Sequence, residues 1–101
     1  RVVDIIKYIN GHYAEVTLEN LSENFNLSRP YISKYIKDKT GMNFQDVVRE
    51  ARMRKARTLL KESGHSVESI AADVGYESVE HFNRLFKKSY GITPVQFRVQ
   101  K

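Results

Sequence analysis

Residues Ser28 to Phe44 read SRPYISKYIKDKTGMNF, and the pattern returns at Ser78 to Pro94 as SVEHFNRLFKKSYGITP. Ser28 answers Ser78, Ile32 answers Phe82, Lys34 answers Arg84, Ile36 answers Phe86, Lys37 answers Lys87 and Gly41 answers Gly91. Each copy opens on a serine, whose side-chain oxygen can accept from an orphan N–H group in the first turn of a helix. Each runs on with apolar residues at helical spacing and stops at a glycine, the residue that best tolerates the left-handed backbone just past a helix end. The repeat reaches backwards as well. Thr17-Leu18-Glu19-Asn20-Leu21 resembles Ser66-Val67-Glu68-Ser69-Ile70, and Phe25-Asn26-Leu27-Ser28 matches Val74-Gly75-Tyr76-Glu77-Ser78 with Glu77 as one extra residue. Each copy is therefore a short helix, a tight turn and a longer helix.

The remaining chain fits around these two units. Val2, Val3, Ile5, Ile6 and Ile9 recur at helical spacing, which predicts a first helix from Arg1 to about Asn10, ended by Gly11. Thr17 caps a second helix, Leu18 to Asn24, that turns Leu18 and Leu21 inward, and Asn26 then supplies a left-handed turn. The third helix runs from Arg29 to Thr40 with Pro30 in its first turn, where no helical hydrogen bond is lost. Tyr31, Ile32, Tyr35 and Ile36 are its expected buried stripe. A longer helix follows, Phe44 to about Ser63. At 100° per residue its apolar residues form two stripes, Phe44, Val47, Val48 and Ala51 on one side and Met53, Ala56, Leu59 and Leu60 on another, turned by roughly 140°. A stripe that changes side predicts a helix shared by two subdomains. Arg52 lies between the stripes and is expected to be partly buried and paired. Arg49, Arg54, Lys55, Arg57 and Lys61 are expected on a solvated face. Ser66 then caps Val67 to Val74, Gly75-Tyr76-Glu77 make the turn, and Val79 to Tyr90 bury Phe82, Leu85 and Phe86, with His81 as a half-buried packing residue. Pro94 opens a last short helix. The expected fold is all-α with about seven helices: a first helix-turn-helix subdomain over 1–43, a connecting helix over 44–63 and a second helix-turn-helix subdomain over 64–101.

Composition narrows the classes of function. Apolar residues make up 41% of the 101, enough for a packed core. There is no cysteine, which removes disulfides, cysteine nucleophiles and zinc–thiolate sites and fits a reducing, cytoplasmic setting. No apolar run approaches the about 20 residues of a membrane span. The opening Arg1-Val2-Val3-Asp4 has neither an initiator methionine nor a signal-peptide pattern, so an excised piece of a longer protein is expected. His12, His65 and His81 share no ligand-like spacing, and neither a phosphate loop nor a nucleophile–base arrangement is present. No enzyme activity, metal or cofactor is expected. A net charge of +5 favours a polyanionic partner without identifying it.

In a helix-turn-helix the second helix is the one that enters the major groove of DNA. The outward faces of the two second helices carry the chemistry this needs. Arginine and lysine donate to guanine O6 and N7, asparagine pairs with adenine, and glutamate accepts from cytosine N4. The first copy offers Arg29, Ser33 and Lys34, and the second offers Glu80, Asn83 and Arg84. Glu80 would be costly beside phosphates and makes sense as a discriminating group. Lys37, Lys39, Lys87 and Lys88, with the helix-start serines Ser28 and Ser78, suit phosphates, which fix position without reading sequence. The rival readings are a basic helical module for an acidic protein partner and an unspecific nucleic-acid binder.

Ile70 to Arg98, IAADVGYESVEHFNRLFKKSYGITPVQFR, together with Arg52, Ala56, Leu59 and Leu60 in the central helix, resembles the DNA-binding domain of AraC/XylS-family transcription regulators. The resemblance implies two helix-turn-helix subdomains, sequence-specific binding of double-stranded promoter DNA, and RNA polymerase as a further partner. It implies base-reading positions at Arg29, Pro30, Ser33 and Lys34 and at Val79, Glu80, Asn83 and Arg84. It also implies a sensory or receiver domain preceding this chain, and the Asn10-Gly11-His12-Tyr13 opening is closer to the response-regulator branch. The first copy departs from the family pattern. Lys34 stands where arginine is common and lacks the guanidinium fork, and Pro30 has no donor, so weaker reading by the first copy is expected.

Overall fold

The computed structural model describes the backbone from Val2 to Gln100 and side chains from Asp4 to Gln100; Arg1, Lys101 and the side chains of Val2 and Val3, the last two counted above in the first apolar stripe, lie outside the described residues. Seven helices and no strand are present among the described residues: α1 Val2–Gly11, α2 Leu18–Phe25, α3 Arg29–Thr40, α4 Phe44–Glu62, α5 Val67–Asp73, α6 Val79–Tyr90 and α7 Pro94–Val99. The expected boundaries agree to within a residue or two.

The capping chemistry is the expected one. Thr17 accepts from the Asn20 N–H at 3.0 Å while the Asn20 side chain accepts from the Thr17 N–H at 2.9 Å, a reciprocal box that satisfies two orphan donors. Thr93 and Gln96 repeat that box at the start of α7. Asn26 alone among the non-glycine described residues takes a left-handed backbone, with φ of 54°. Gly41 and Gly91 close α3 and α6 at φ of 77° and 82°.

The chain divides into two compact units, residues 1–51 and 52–101, so the division falls inside α4. In the first unit Ile5, Ile9, Val16, Leu21, Ile32, Ile36, Val47 and Val48 form one buried cluster, with Tyr8, Leu18, Phe25 and Tyr35 packed against it. The first stripe of α4 is thus spent within this unit. In the second, Met53, Ala56 and Leu60 are buried along with Ile70, Val74, Phe82 and Phe86. A run of ring contacts continues that core: Tyr76 on Phe82 at 6.0 Å, Phe82 on Phe86 at 5.9 Å and Phe86 on Phe97 at 5.6 Å.

The repeat is deeper than the two helix-turn-helix motifs. Ile5 and Ile9 of α1 are fully buried, and fifty-one positions on so are Ala56 and Leu60 in the second half of α4. Asn43 caps the start of α4 by accepting from Asp46 N–H at 2.8 Å, and fifty positions on Thr93 caps α7 in the same way. Each unit is therefore an entry helix, a helix-turn-helix and an exit helix, and α4 is the exit helix of the first joined to the entry helix of the second. That fusion is why its apolar stripe changes side.

Of the cations of α4 expected on a solvated face, Arg54, Lys55, Arg57 and Lys61 are exposed and Arg49 is half-buried. Arg52 is half-buried, its guanidinium 5.0 Å over the Tyr76 ring and its Nη1 donating to the Gly75 carbonyl at 3.4 Å, the pairing its place between the stripes predicted. Arg57 lies 5.2 Å over Tyr90 and Lys61 4.7 Å over Phe97. These cations cover aromatic edges of the second core, with their stems as packing surface. From α7, Arg98 donates to the Leu60 and Ser63 carbonyls at 3.0 and 3.3 Å, satisfying acceptors that the end of α4 leaves open.

Candidate nucleic-acid interface

Two features hold each second helix in place. The first is the turn before it. Leu27 N–H donates to Ser22 O at 3.2 Å across the α2–α3 turn, and Tyr76 N–H donates to Ala71 O at 2.9 Å across the α5–α6 turn. The second is the cap. Ser28 Oγ accepts from Tyr31 N–H at 3.2 Å and Ser78 Oγ from His81 N–H at 3.1 Å. Both serines thus have a structural task at the helix start.

The two helices share one burial register. Ile32 and Ile36 on α3, and Phe82 and Phe86 on α6, are fully buried. In both helices the position after the first of these is half-buried (Ser33, Asn83) and the next is exposed (Lys34, Arg84). Arg29, Pro30 and Lys37 are exposed on α3, and Glu80, Lys87 and Lys88 on α6; Val79 is half-buried. The structure therefore gathers Arg29, Pro30, Ser33, Lys34 and Lys37 along one side of α3, and Val79, Glu80, Asn83, Arg84 and Lys87 along the matching side of α6. Lys39 does not join them. By helical periodicity it is turned about 150° from the mean direction of Arg29, Pro30, Ser33 and Lys34, and its ammonium sits 5.8 Å over the Tyr35 ring.

Several polar groups on these faces already have partners. Lys34 Nζ donates to Asp38 Oδ2 at 2.9 Å. Ser78 Oγ donates to Glu80 Oε1 at 3.1 Å, so the Ser78 proton is committed while Ser28 donates to no group among the described residues. The Oδ1 of Asn83 is buried with no hydrogen-bond partner. An unsatisfied buried acceptor costs about 1–3 kcal/mol.

Two expectations fail on α3 and α6. Tyr31 is not in the buried stripe: it is 47% exposed and stacks on Tyr35 with ring centroids 5.8 Å apart. Its register is turned about 120° from the Ile32–Ile36 direction, too far for the core to cover it. His81, at the same register on α6, is exposed and not half-buried, with its ring edge-on to Tyr76 at 5.6 Å. Asp38, absent from every sequence-based expectation, is brought against Lys34 by the one-turn spacing; that i, i+4 acid–base pair is the signal that could have found it.

Two such motifs, each presenting a cation-bearing second helix on a fixed core, define a helix-turn-helix DNA-binding domain. A family of helix-turn-helix domains matches residues 21–100. The chain belongs to the AraC/XylS family of transcription regulators, of which it is a sequence-specific DNA-binding domain. It is similar to the transcriptional activator RhaS of Escherichia fergusonii, 33% identical over 99 residues that cover 97% of this chain and 36% of RhaS. It is similar to the C-terminal domain of the two-component response regulator YesN from Fusobacterium nucleatum, with 39% identity, a TM-score of 0.86 and coverage of 96% of this chain and 97% of that domain. It shares its fold with the DNA-binding domain of the global transcriptional factor AdpA, solved with a target DNA, at a TM-score of 0.87 and 22% identity over 95% of this chain and 87% of that one. The chain spans about a third of the length of the curated relatives it matches. No described helix is long and apolar enough to cross a membrane.

Proposed function

We propose that α3 and α6 each read a short segment of duplex DNA from the major groove. Arg29, Pro30, Ser33 and Lys34 face the bases from α3, and Val79, Glu80, Asn83 and Arg84 from α6. Lys37, Lys87 and Lys88 hold phosphates, and the cap serines Ser28 and Ser78 lie where the backbone passes the helix starts; Lys39, turned away and over the Tyr35 ring, is not used. The observation that carries this reading is the shared burial register of the two helices, which turns the same positions outward on each. Arg84 is the strongest reader, since a guanidinium can bind guanine O6 and N7 together.

A monomer filling successive major grooves on one face of the duplex, about 34 Å apart, is the proposed arrangement. In the full regulator this module works at a promoter in the cytoplasm beside RNA polymerase, under the control of a sensory or receiver domain. The likeness to YesN supports a receiver.

The test is selection of sites from random duplex DNA. A preference of at least about a thousandfold over bulk DNA is expected. Equal binding to all duplexes would leave an unspecific binder, and retention only on an acidic protein would leave an interaction module.

A further inference from the structure

Lys34 stands directly opposite the buried Ile32–Ile36 edge of α3, by the 100° per residue of a helix. Its ammonium is nevertheless occupied, 2.9 Å from Asp38 Oδ2, with the two side chains 78% and 56% exposed. The corresponding residues on α6 are Arg84 and Lys88. Like charges one turn apart repel, and neither of these has an ion-pair partner among the described residues. So at one register the second head offers two free cations, while the first offers a cation neutralised by its own helix.

Asp38 gains nothing from the helix end itself. It lies in the last turn of α3, where the helix dipole disfavours a carboxylate. It is exposed, and its described bond is the one to Lys34. Its position, about 40° from Lys34 around the helix, also puts a negative charge at the edge of the face that meets phosphates.

We propose that Asp38 attenuates the first head by competing with DNA for Lys34. It stands in for a phosphate, holding Lys34 until a stronger acceptor displaces it. A guanine edge, with O6 and N7 adjacent, is such an acceptor. The pair must be broken on any duplex that engages Lys34, so Asp38 weakens the first head on right and wrong sequences alike and keeps its hold on arbitrary DNA small. This rests on the DNA-binding reading above.

The experiment measures binding of the chain to its selected duplex and to a random-sequence duplex over a range of salt. Asp38→Asn removes the charge at nearly constant shape. Exposed pairs of this kind correspond to about two- to fivefold in an equilibrium constant, so the random duplex should bind about two- to fivefold more tightly. The slope of log affinity against log salt should steepen by about 0.9, the value of one newly neutralised phosphate. Affinity for the selected duplex should rise by at least as much, because there too the pair no longer has to be broken. Asp38→Lys, which copies Lys88, should raise random-duplex affinity further. In a Lys34→Ala background Asp38→Asn should no longer change the salt slope. Unchanged affinity and slope in Asp38→Asn, while the parent chain still prefers its selected duplex, would overturn the inference and leave the DNA-binding reading intact. A gain that persists in full without Lys34 would overturn it too, since Asp38 would then act on DNA directly. A parent chain with no preference among duplexes would remove the underlying reading itself.

Discussion

Arg84 and Lys87 lie three residues apart on α6, both exposed, yet they are expected to do different things. Arg84 is turned away from Phe82 and Phe86, while Lys87 sits about a turn nearer the end of the helix. Arg84→Ala should cost about 1–3 kcal/mol on the selected site and relax preference at one base position, while Lys87→Ala weakens all duplexes alike. Competition titrations on selected and random DNA check this, and equal losses from both mutants on both duplexes would contradict it. Glu80 has a local task, accepting from Ser78 Oγ at 3.1 Å in the first turn. Glu80→Gln keeps an oxygen for that hydroxyl and removes only the charge. Unspecific affinity should then rise and the specificity ratio fall; an unchanged selection logo would show that Glu80 serves the helix start alone. Identity and register placed most of these residues on the outward faces from sequence. Tyr31 and His81 were misjudged because an aromatic beside a buried position looks apolar in the pattern, while its direction around the helix decides whether the core can reach it.

At the scale of single elements, the caps and stops were the most legible part of the chain. Serine, threonine, glycine and asparagine each act there through their own backbone or one short side chain, so no distant partner has to be known. Thr17, Ser28, Ser66, Ser78 and Thr93 all cap as their positions imply. Gly91 gives the sharpest test. Its φ is +82°, and a Cβ placed there would meet nothing within 4 Å. The cost of Gly91→Ala is then purely conformational, about 1–2 kcal/mol for a left-handed alanine, to be read as lowered thermal stability with the helical spectrum retained. A neutral result would mean that the end of α6 can rearrange without strain. The ring partners of the cations on α4 were the least legible. Arg57 and Lys61 lie over Tyr90 and Phe97, which come 33 and 36 residues later in the chain. Helical periodicity sees neighbours one turn away and is blind to those.

The change of stripe along α4 was visible in the sequence as a geometric oddity, and the division of the chain at residues 51 and 52 gives it a cause. If that helix sets the spacing of the two heads on DNA, five base pairs inserted between their segments should cut affinity to that of one segment alone, because half a turn moves one segment to the opposite face. The loss should be largest at low salt, where several phosphate contacts contribute most. Footprints that still cover both segments at undiminished affinity would contradict a fixed spacing. The repeat itself has a further consequence. Regulators that pair two identical subunits about a two-fold axis read palindromes, which look the same from either end. This chain carries both heads on one polypeptide, and the heads are unlike: Arg29, Pro30, Ser33 and Lys34 on one, Val79, Glu80, Asn83 and Arg84 on the other. A site matched to them has a front and a back. The molecule bound there is an arrow on the chromosome, and inverting its site would reverse the arrow without changing a single contact.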